Sequence, residues 1–298
     1  MIVDCHTHIW ESVEQLGRGF ARGQARVRGE LPLRAGIDAH RLATRPADKV
    51  FVLAYRSYYL EADIPNDYVA AYVRQQADRL IGFASVDPTR PQEAIQELRR
   101  AREELGMQGL NIWPAAQDFH PAATCAMRLY PEACRLGMPV MFHIDAAVMP
   151  ASKMEYARPV LIDEVAREFP EMRIIVAQLG YPWTDETIVL LAKHPNVFAD
   201  ISGLTKRPWH AYNALLSAYQ AGVMDRLLFG SNFPYASPAG CIEALYSINQ
   251  FCHGTNLPTI PREQLRQIVE RDALEILGIE SPAPPVREPK TAVIRADD

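Results

Sequence analysis

The feature that most constrains this chain is a repeated alternation. Short apolar segments recur at residues 2–9, 49–54, 80–86, 109–113, 140–144, 173–179, 197–201 and 226–230, eight in all. Most are apolar at consecutive positions, the mark of strands buried on both faces, as in parallel sheets. Helical periodicity fills most of the gaps, predicting helices over 68–79, 92–105, 122–136, 158–169, 185–193, 210–221, 240–251 and 262–277. Asn66 or Asp67 suits the cap of the first of these, and Gly106 and Gly137 suit helix ends. Strands alternating with helices are βαβ units. Eight such units in 298 residues predict an α/β fold of the closed (β/α)8 TIM-barrel kind. No Gly-x-Gly-x-x-Gly follows an early strand, which argues against an open, doubly wound sheet. The expected organisation is a single domain over 1–279 and a proline-rich tail over 280–298. Four prolines between Pro282 and Pro289 give the tail a disorder-like composition. Packed into a groove, it would hold a homodimer together by burying Val286 or the Val293–Ile294 pair.

The first strand carries the densest chemistry, Val3-Asp4-Cys5-His6-Thr7-His8. In a regular strand Asp4, His6 and His8 share one face and Val3, Cys5 and Thr7 the other. Two imidazoles about 7 Å apart along one face can converge on a cation. In a barrel, functional side chains project from the C-terminal strand ends. These supply His6 and His8 from the first strand and His143 from the fifth, with Asp145 two residues beyond it. Gln178 follows from the sixth, Asp200 and Ser202 from the seventh and Asn232 from the eighth. Three imidazoles suit zinc or another borderline divalent ion. The other histidines, His40, His120, His194, His210 and His253, fall in loops or helices and read as surface residues. Trp113, Tyr181 and Trp183 each follow a strand and are expected to wall a substrate pocket. The stretch 11–47 has five arginines between Arg18 and Arg34; it reads either as a lid over an anionic substrate or as a solvated loop.

Composition narrows the class further. The net charge is −5, from 31 basic and 36 acidic residues without a dense basic run, which gives no case for nucleic acid. Five cysteines without CxxC spacing predict free thiols in a reducing compartment. Neither a signal peptide nor a membrane-length apolar stretch is visible, so a cytoplasmic protein is expected, with a small-molecule substrate and no membrane partner.

Several pieces, taken in order, resemble the amidohydrolase superfamily in its amidohydrolase-2 branch. They are Val3-Asp4-Cys5-His6-Thr7-His8, Val86-Asp87-Pro88, Phe142-His143, Ile175-Val176-Ala177-Gln178-Leu179-Gly180, Val197-Phe198-Ala199-Asp200-Ile201-Ser202-Gly203 and Leu228-Phe229-Gly230-Ser231-Asn232-Phe233-Pro234. The branch is similar to aminocarboxymuconate-semialdehyde decarboxylase and related TIM-barrel hydrolases. The resemblance implies a metal-dependent hydrolase or decarboxylase acting on a small, carboxylated molecule, with zinc or another divalent metal held by His6, His8 and His143. At two positions the chain departs from the family. Gln178 stands where the family has a histidine that polarises the substrate, and Asn232 where it has an aspartate that binds metal and shuttles a proton. An amide has no pKa near neutrality, so neither replaces the ionisable group. Both retain hydrogen-bonding capacity at the site. Asp145 is then the first candidate proton carrier and Asp200 the second. Two alternatives stand beside this reading: a metal-free lactonase-type hydrolase, and a catalytically silenced barrel that binds a ligand or partner.

Overall fold

The computed structural model describes residues 1–17, 19–20, 22–23, 26, 35–144 and 150–280. Asp145 and the tail from residue 281 lie outside the described residues. In chain order the strands are β1 (Val3–His8), β2 (Lys49–Leu53), β3 (Tyr55–Ser57), β4 (Ala62–Ile64), β5 (Leu80–Ala84), β6 (Gly109–Ile112), β7 (Val140–Phe142), β8 (Ile174–Val176), β9 (Val197–Asp200) and β10 (Leu227–Leu228). Eight of them form one sheet in the order β1-β2-β5-β6-β7-β8-β9-β10, and every neighbouring pair is parallel. The segment after β10 returns to β1. Cys5 N donates to Phe229 O, Asn232 N to His6 O and His8 N to Phe233 O, each at 2.9 Å, which closes the barrel.

The closed sheet separates two apolar layers. Val3, Cys5, Phe51, Leu53, Phe83, Met141, Ile175 and Leu228 fill the interior. Phe83 stacks on Phe51 with centroids 4.7 Å apart and lies against Gly109, where an added Cβ would meet its ring at 2.3 Å. Only a glycine on β6 admits that ring. Leu274 and Leu277, from the helix Ala273–Leu277, join the same interior cluster. Arg173, just before β8, donates to Ile276 O at 2.9 Å, which sets that helix across the end of the barrel where the strands begin. Outside the sheet, Val50, Val52, Leu110, Val140 and Val176 pack on helix residues such as Leu98, Tyr130 and Val165.

Several expected elements are subdivided. The helix expected over 122–136 is two, Thr124–Met127 and Tyr130–Arg135, because Pro131 lacks an N–H and suits only a helix start. The helix over 262–277 breaks after Glu270; Asp272 then caps Ala273–Leu277, accepting from Leu274 N and Glu275 N. An antiparallel hairpin, β3 and β4, follows β2. Within 11–47 lie a turn of 3-10 helix, Val13–Leu16, and a helix, Ile37–Ala43. That helix carries His40, which is fully buried rather than at the surface. His194 is also buried, its Nε2 2.7 Å from Asp163. All five cysteines are free, and no helix among the described residues is long and apolar enough to cross a membrane.

Candidate metal centre

The centre begins with an irregularity in β1. Its register against β2 runs Val3↔Lys49, Asp4↔Val50, then Thr7↔Val52, His8↔Leu53, so β1 spends one residue more than β2 between Asp4 and Thr7. Such a bulge re-aims the side chains beyond it. Val3 and Cys5 face the barrel interior, while Asp4 and Thr7 are registered with outer-layer Val50 and Val52. After the bulge, His6 and His8 face inward. The simple alternation that grouped Asp4 with the two histidines is therefore wrong for this strand. Asp4 sits behind it, accepting from Ser231 N at 2.8 Å. Burial pushes its carboxyl up to about 6, against the hydrogen bonds from Ser231.

His143 stands just beyond β7, with its backbone N–H donating to Ile112 O at 2.8 Å. Its Nε2 lies 3.0 Å from His6 Nε2, which lies 3.1 Å from His8 Nε2. The three rings are buried. Trp113 stacks on His143 at 3.6 Å and 11°, and Tyr55 packs on Trp113 at 4.5 Å.

Asp200, at the end of β9, determines which His6 nitrogen is available. Its Oδ2 accepts from His6 Nδ1 at 3.0 Å, and its Oδ1 accepts from Ser202 N and Gln178 N at 2.9 and 3.2 Å. Burial opposes ionisation of Asp200, but the electrostatic attraction of the His6 ring and the hydrogen bonds from His6 and Ser202 outweigh it and hold the carboxyl below its ordinary value. With the proton on Nδ1, His6 presents a lone pair from Nε2. Burial, with His6 and His40 nearby, holds His8 well below the ordinary imidazole range, hence neutral. A lone pair can accept from one neighbouring imidazole N–H, yet two nitrogens converge on it. A divalent cation satisfies all three at once. The group is a candidate metal cluster, its ligand atoms all within 4.8 Å of one another, and carboxylate-backed histidine is common metal-site support. Asp200 is thus committed to holding His6, not free as a proton carrier.

Beside these nitrogens opens a narrow cavity lined by His8, Trp10, Leu16, Phe20, Tyr55, Ile64, Trp113, His143, Gln178, Asn232 and Tyr235. It offers about 20 Å³, room for roughly one water. The described lining contains no lysine or arginine; Arg22 and Arg26 are exposed. Gln178 and Asn232 both sit in left-handed backbone, at φ 55° and 61°. They meet over Gly203, where an added Cβ would lie 3.2 Å from Asn232 Nδ2 and 3.5 Å from Gln178 Oε1. Asn232 reaches the site through this turn, not by strand alternation, because β10 already ends at Leu228.

Trp113 lies on this lining, whereas Tyr181 and Trp183 do not. Tyr181 instead meets His210 edge-on at 4.8 Å, with the Arg207 guanidinium 4.3 Å from its ring. Trp10, Tyr55 and Tyr235 were missed from sequence. For the first two a signal existed, since each directly follows a strand end, as Trp113 does.

The profile of the family described as Amidohydrolase matches residues 3–279. No curated protein shows a significant sequence match. Among solved structures, an uncharacterised TIM-barrel protein from Bordetella bronchiseptica superposes with TM-score 0.68 at 18% identity, covering 93% of this chain and 98% of that one. A 5-carboxyvanillate decarboxylase from Novosphingobium aromaticivorans, complexed with manganese and 4-hydroxy-3-methoxy-5-nitrobenzoic acid, gives 0.66 at 15% identity, covering 93% and 96%. A probable 2-pyrone-4,6-dicarboxylic acid hydrolase from Acinetobacter baumannii, with citric acid bound, gives 0.62 at 15%, covering 93% and 99%. At these identities the likeness is one of fold. The family match spans nearly the whole barrel, and so the chain belongs to the amidohydrolase family of enzymes, in its amidohydrolase-2 branch.

Proposed function

We propose that the protein is a metal-dependent enzyme acting on a small carboxylated molecule, as a carboxy-lyase or hydrolase, with His6, His8 and His143 as the metal ligands. The observation that carries this reading is the convergence of three buried imidazole Nε2 atoms with His6 fixed by Asp200. A divalent ion held there, zinc or manganese, supplies Lewis acidity toward a substrate oxygen. The described lining carries no cationic side chain, so a divalent ion held by His6, His8 and His143 would be the positive charge available there to a carboxylate. Gln178 and Asn232 present carboxamides that hydrogen-bond substrate oxygens. Trp10, Tyr55, Trp113 and Tyr235 give the cavity apolar walls. Solved barrels of the same shape include decarboxylases of ring-bearing carboxylates and a probable pyrone dicarboxylate hydrolase.

Asn232 can carry no proton in either branch, and the two branches make different demands. Hydrolysis needs a group that takes a proton from water, and Asn232 cannot take one. Decarboxylation releases carbon dioxide without attack by water and requires only that the carbon left behind be protonated. Asp145 remains the proposed donor. Asn232 also supports a second reading, a barrel that binds such a ligand without turning it over.

The test has two stages. Metal content of the purified protein is measured first, together with that of His6→Ala, which is expected to lose the ion. Carbon dioxide release from hydroxybenzoate carboxylates is then compared with hydrolysis of lactone and amide panels. Carbon dioxide release supports the carboxy-lyase, ring opening or amide cleavage the hydrolase. Tight binding of a carboxylate without turnover supports the silenced barrel. A wild-type protein that takes up no divalent ion overturns the metal-dependent reading.

A further inference from the structure

A buried chain of hydrogen bonds enters β1 from the outer layer. His40 is fully buried. Its Nδ1 lies 2.9 Å from the Tyr72 hydroxyl and its Nε2 2.8 Å from Thr7 Oγ1. Thr7 Oγ1 in turn lies 2.5 Å from Phe51 O, on β2. The donors follow from the inventory of protons. A carbonyl only accepts, so the Thr7 hydroxyl donates to Phe51 O. Thr7 Oγ1 then accepts from His40, which places the His40 proton on Nε2 and leaves Nδ1 to accept from Tyr72. Burial, and after it the charge of Arg79, push His40 down to about 3, so the ring is neutral. Its edge also meets Phe233 at 5.2 Å and 86°, and Phe233 follows Asn232 directly.

The position of Thr7 gives this chain its importance. It lies between His6 and His8, just beyond the bulge, with its side chain outward. A bulge interrupts the ladder that would otherwise fix register, and a one-residue slip turns every side chain to the other face. Whatever pins Thr7 outward keeps both its neighbours inward.

We propose that His40 is a positioning residue for the metal centre: by holding Thr7 to the outer layer it locks the bulge that aims His6 and His8 at one point. The proposal rests on those two histidines being metal ligands. His40 touches neither the cavity nor the three nitrogens, so it acts through Thr7.

Calorimetric titration of the metal-stripped full chain with zinc tests it. Supporting interactions behind a ligand are worth about 10- to 100-fold in metal affinity. His40→Ala and Thr7→Val are expected to raise Kd by that factor. Thr7→Ser keeps the hydroxyl and His40→Gln keeps a donor toward it, so both are expected to recover most of the affinity. The His6→Ala control is expected to abolish binding. Folded His40→Ala with the wild-type Kd overturns the proposal, as does a lower Tm in both variants with Kd unchanged, the result of a merely structural role. If His40→Ala does not fold, the Thr7→Val and Thr7→Ser pair reads the same contact. If the wild-type protein takes up no metal, the metal reading fails by itself. The positioning role is then read from the long-range ¹H–¹⁵N spectrum of the imidazoles. His6 and His8 signals are expected to move in His40→Ala and return in His40→Gln; unmoved signals overturn it.

Discussion

At the residue scale the chemistry turns on Asn232 and Asp200. Asn232 occupies the cavity lining with a carboxamide, so it offers shape and hydrogen bonds but no charge. Replacing it with Asp adds an anion beside three imidazole nitrogens. Asn232→Asp is expected to bind zinc more tightly by calorimetry and to raise kcat/KM on lactone or amide substrates, toward the 10²- to 10⁴-fold typical of general-base catalysis. A fall in hydrolysis on that substitution means that another group already carries the proton. Asp200 acts through His6. Asp200→Asn leaves Nδ1 of His6 without its anionic acceptor and is expected to weaken zinc binding about 10- to 100-fold while the barrel stays folded; an unchanged Kd rules out the orienting role. The three histidines were legible in the sequence from their places at strand ends. The reasoning by strand alternation was less sound, because the bulge in β1 puts Thr7 on the outer face with Asp4 and turns His6 and His8 inward. Nothing in Val3-Asp4-Cys5-His6 signals an extra residue; the bulge lies where β1 is hydrogen-bonded to Phe229 and Phe233 on one side and to β2 on the other.

At the element scale, strands were easier to read than helices. Each barrel strand is a run of apolar residues that either faces the interior or meets a helix, so hydrophobicity alone marks it. Helix ends depend on single residues such as Pro131 and Asp272, and there the expected helices were too long. The helix Tyr130–Arg135 is short, yet it is tied to its neighbour Pro91–Glu103 by charge. Arg99 donates to both oxygens of Glu132 at 2.8 and 3.0 Å, and Arg135 donates to Oε1. Hydrogen bonds from Arg99 and then Arg135 hold the Glu132 carboxyl down at about 2. Because the folded pKa lies below the ordinary value of about 4.3, the pair's contribution is complete above that value and is lost as the pH falls toward 2. Thermal melts are therefore expected to show Glu132→Gln less stable than wild type at pH 7, with the difference shrinking between pH 4.5 and 2. The arginines are half exposed, so the difference should be modest. A gap that stays constant across that range assigns the effect to packing instead.

At the scale of the whole molecule, the barrel places the three proposed metal ligands far apart in the chain. His6 and His8 lie on β1, His143 follows β7, and 137 residues separate His6 from His143. The overall architecture was legible because eight both-face apolar strands alternating with helices have few other solutions. The narrow cavity was not, because Leu16 and Phe20 reach it from an irregular stretch with no periodic signal. An ion bound by these histidines bridges opposite parts of the barrel and binds only the folded chain, so its affinity adds to stability. At a free concentration 100-fold above Kd the gain is about 2.7 kcal/mol. For domains of 150–250 residues each kcal/mol moves Tm by about 2–4 °C, and this barrel is somewhat larger, so a rise of roughly 5–10 °C is expected on adding zinc or manganese to stripped protein. A chelator should reverse it, and His6→Ala and His143→Ala should each remove it. The two variants test different strands, which matters because a surface site using His120 or His253 would also stabilise the protein. If either variant keeps the full shift, the ion is bound elsewhere and the three converging nitrogens are not the metal centre.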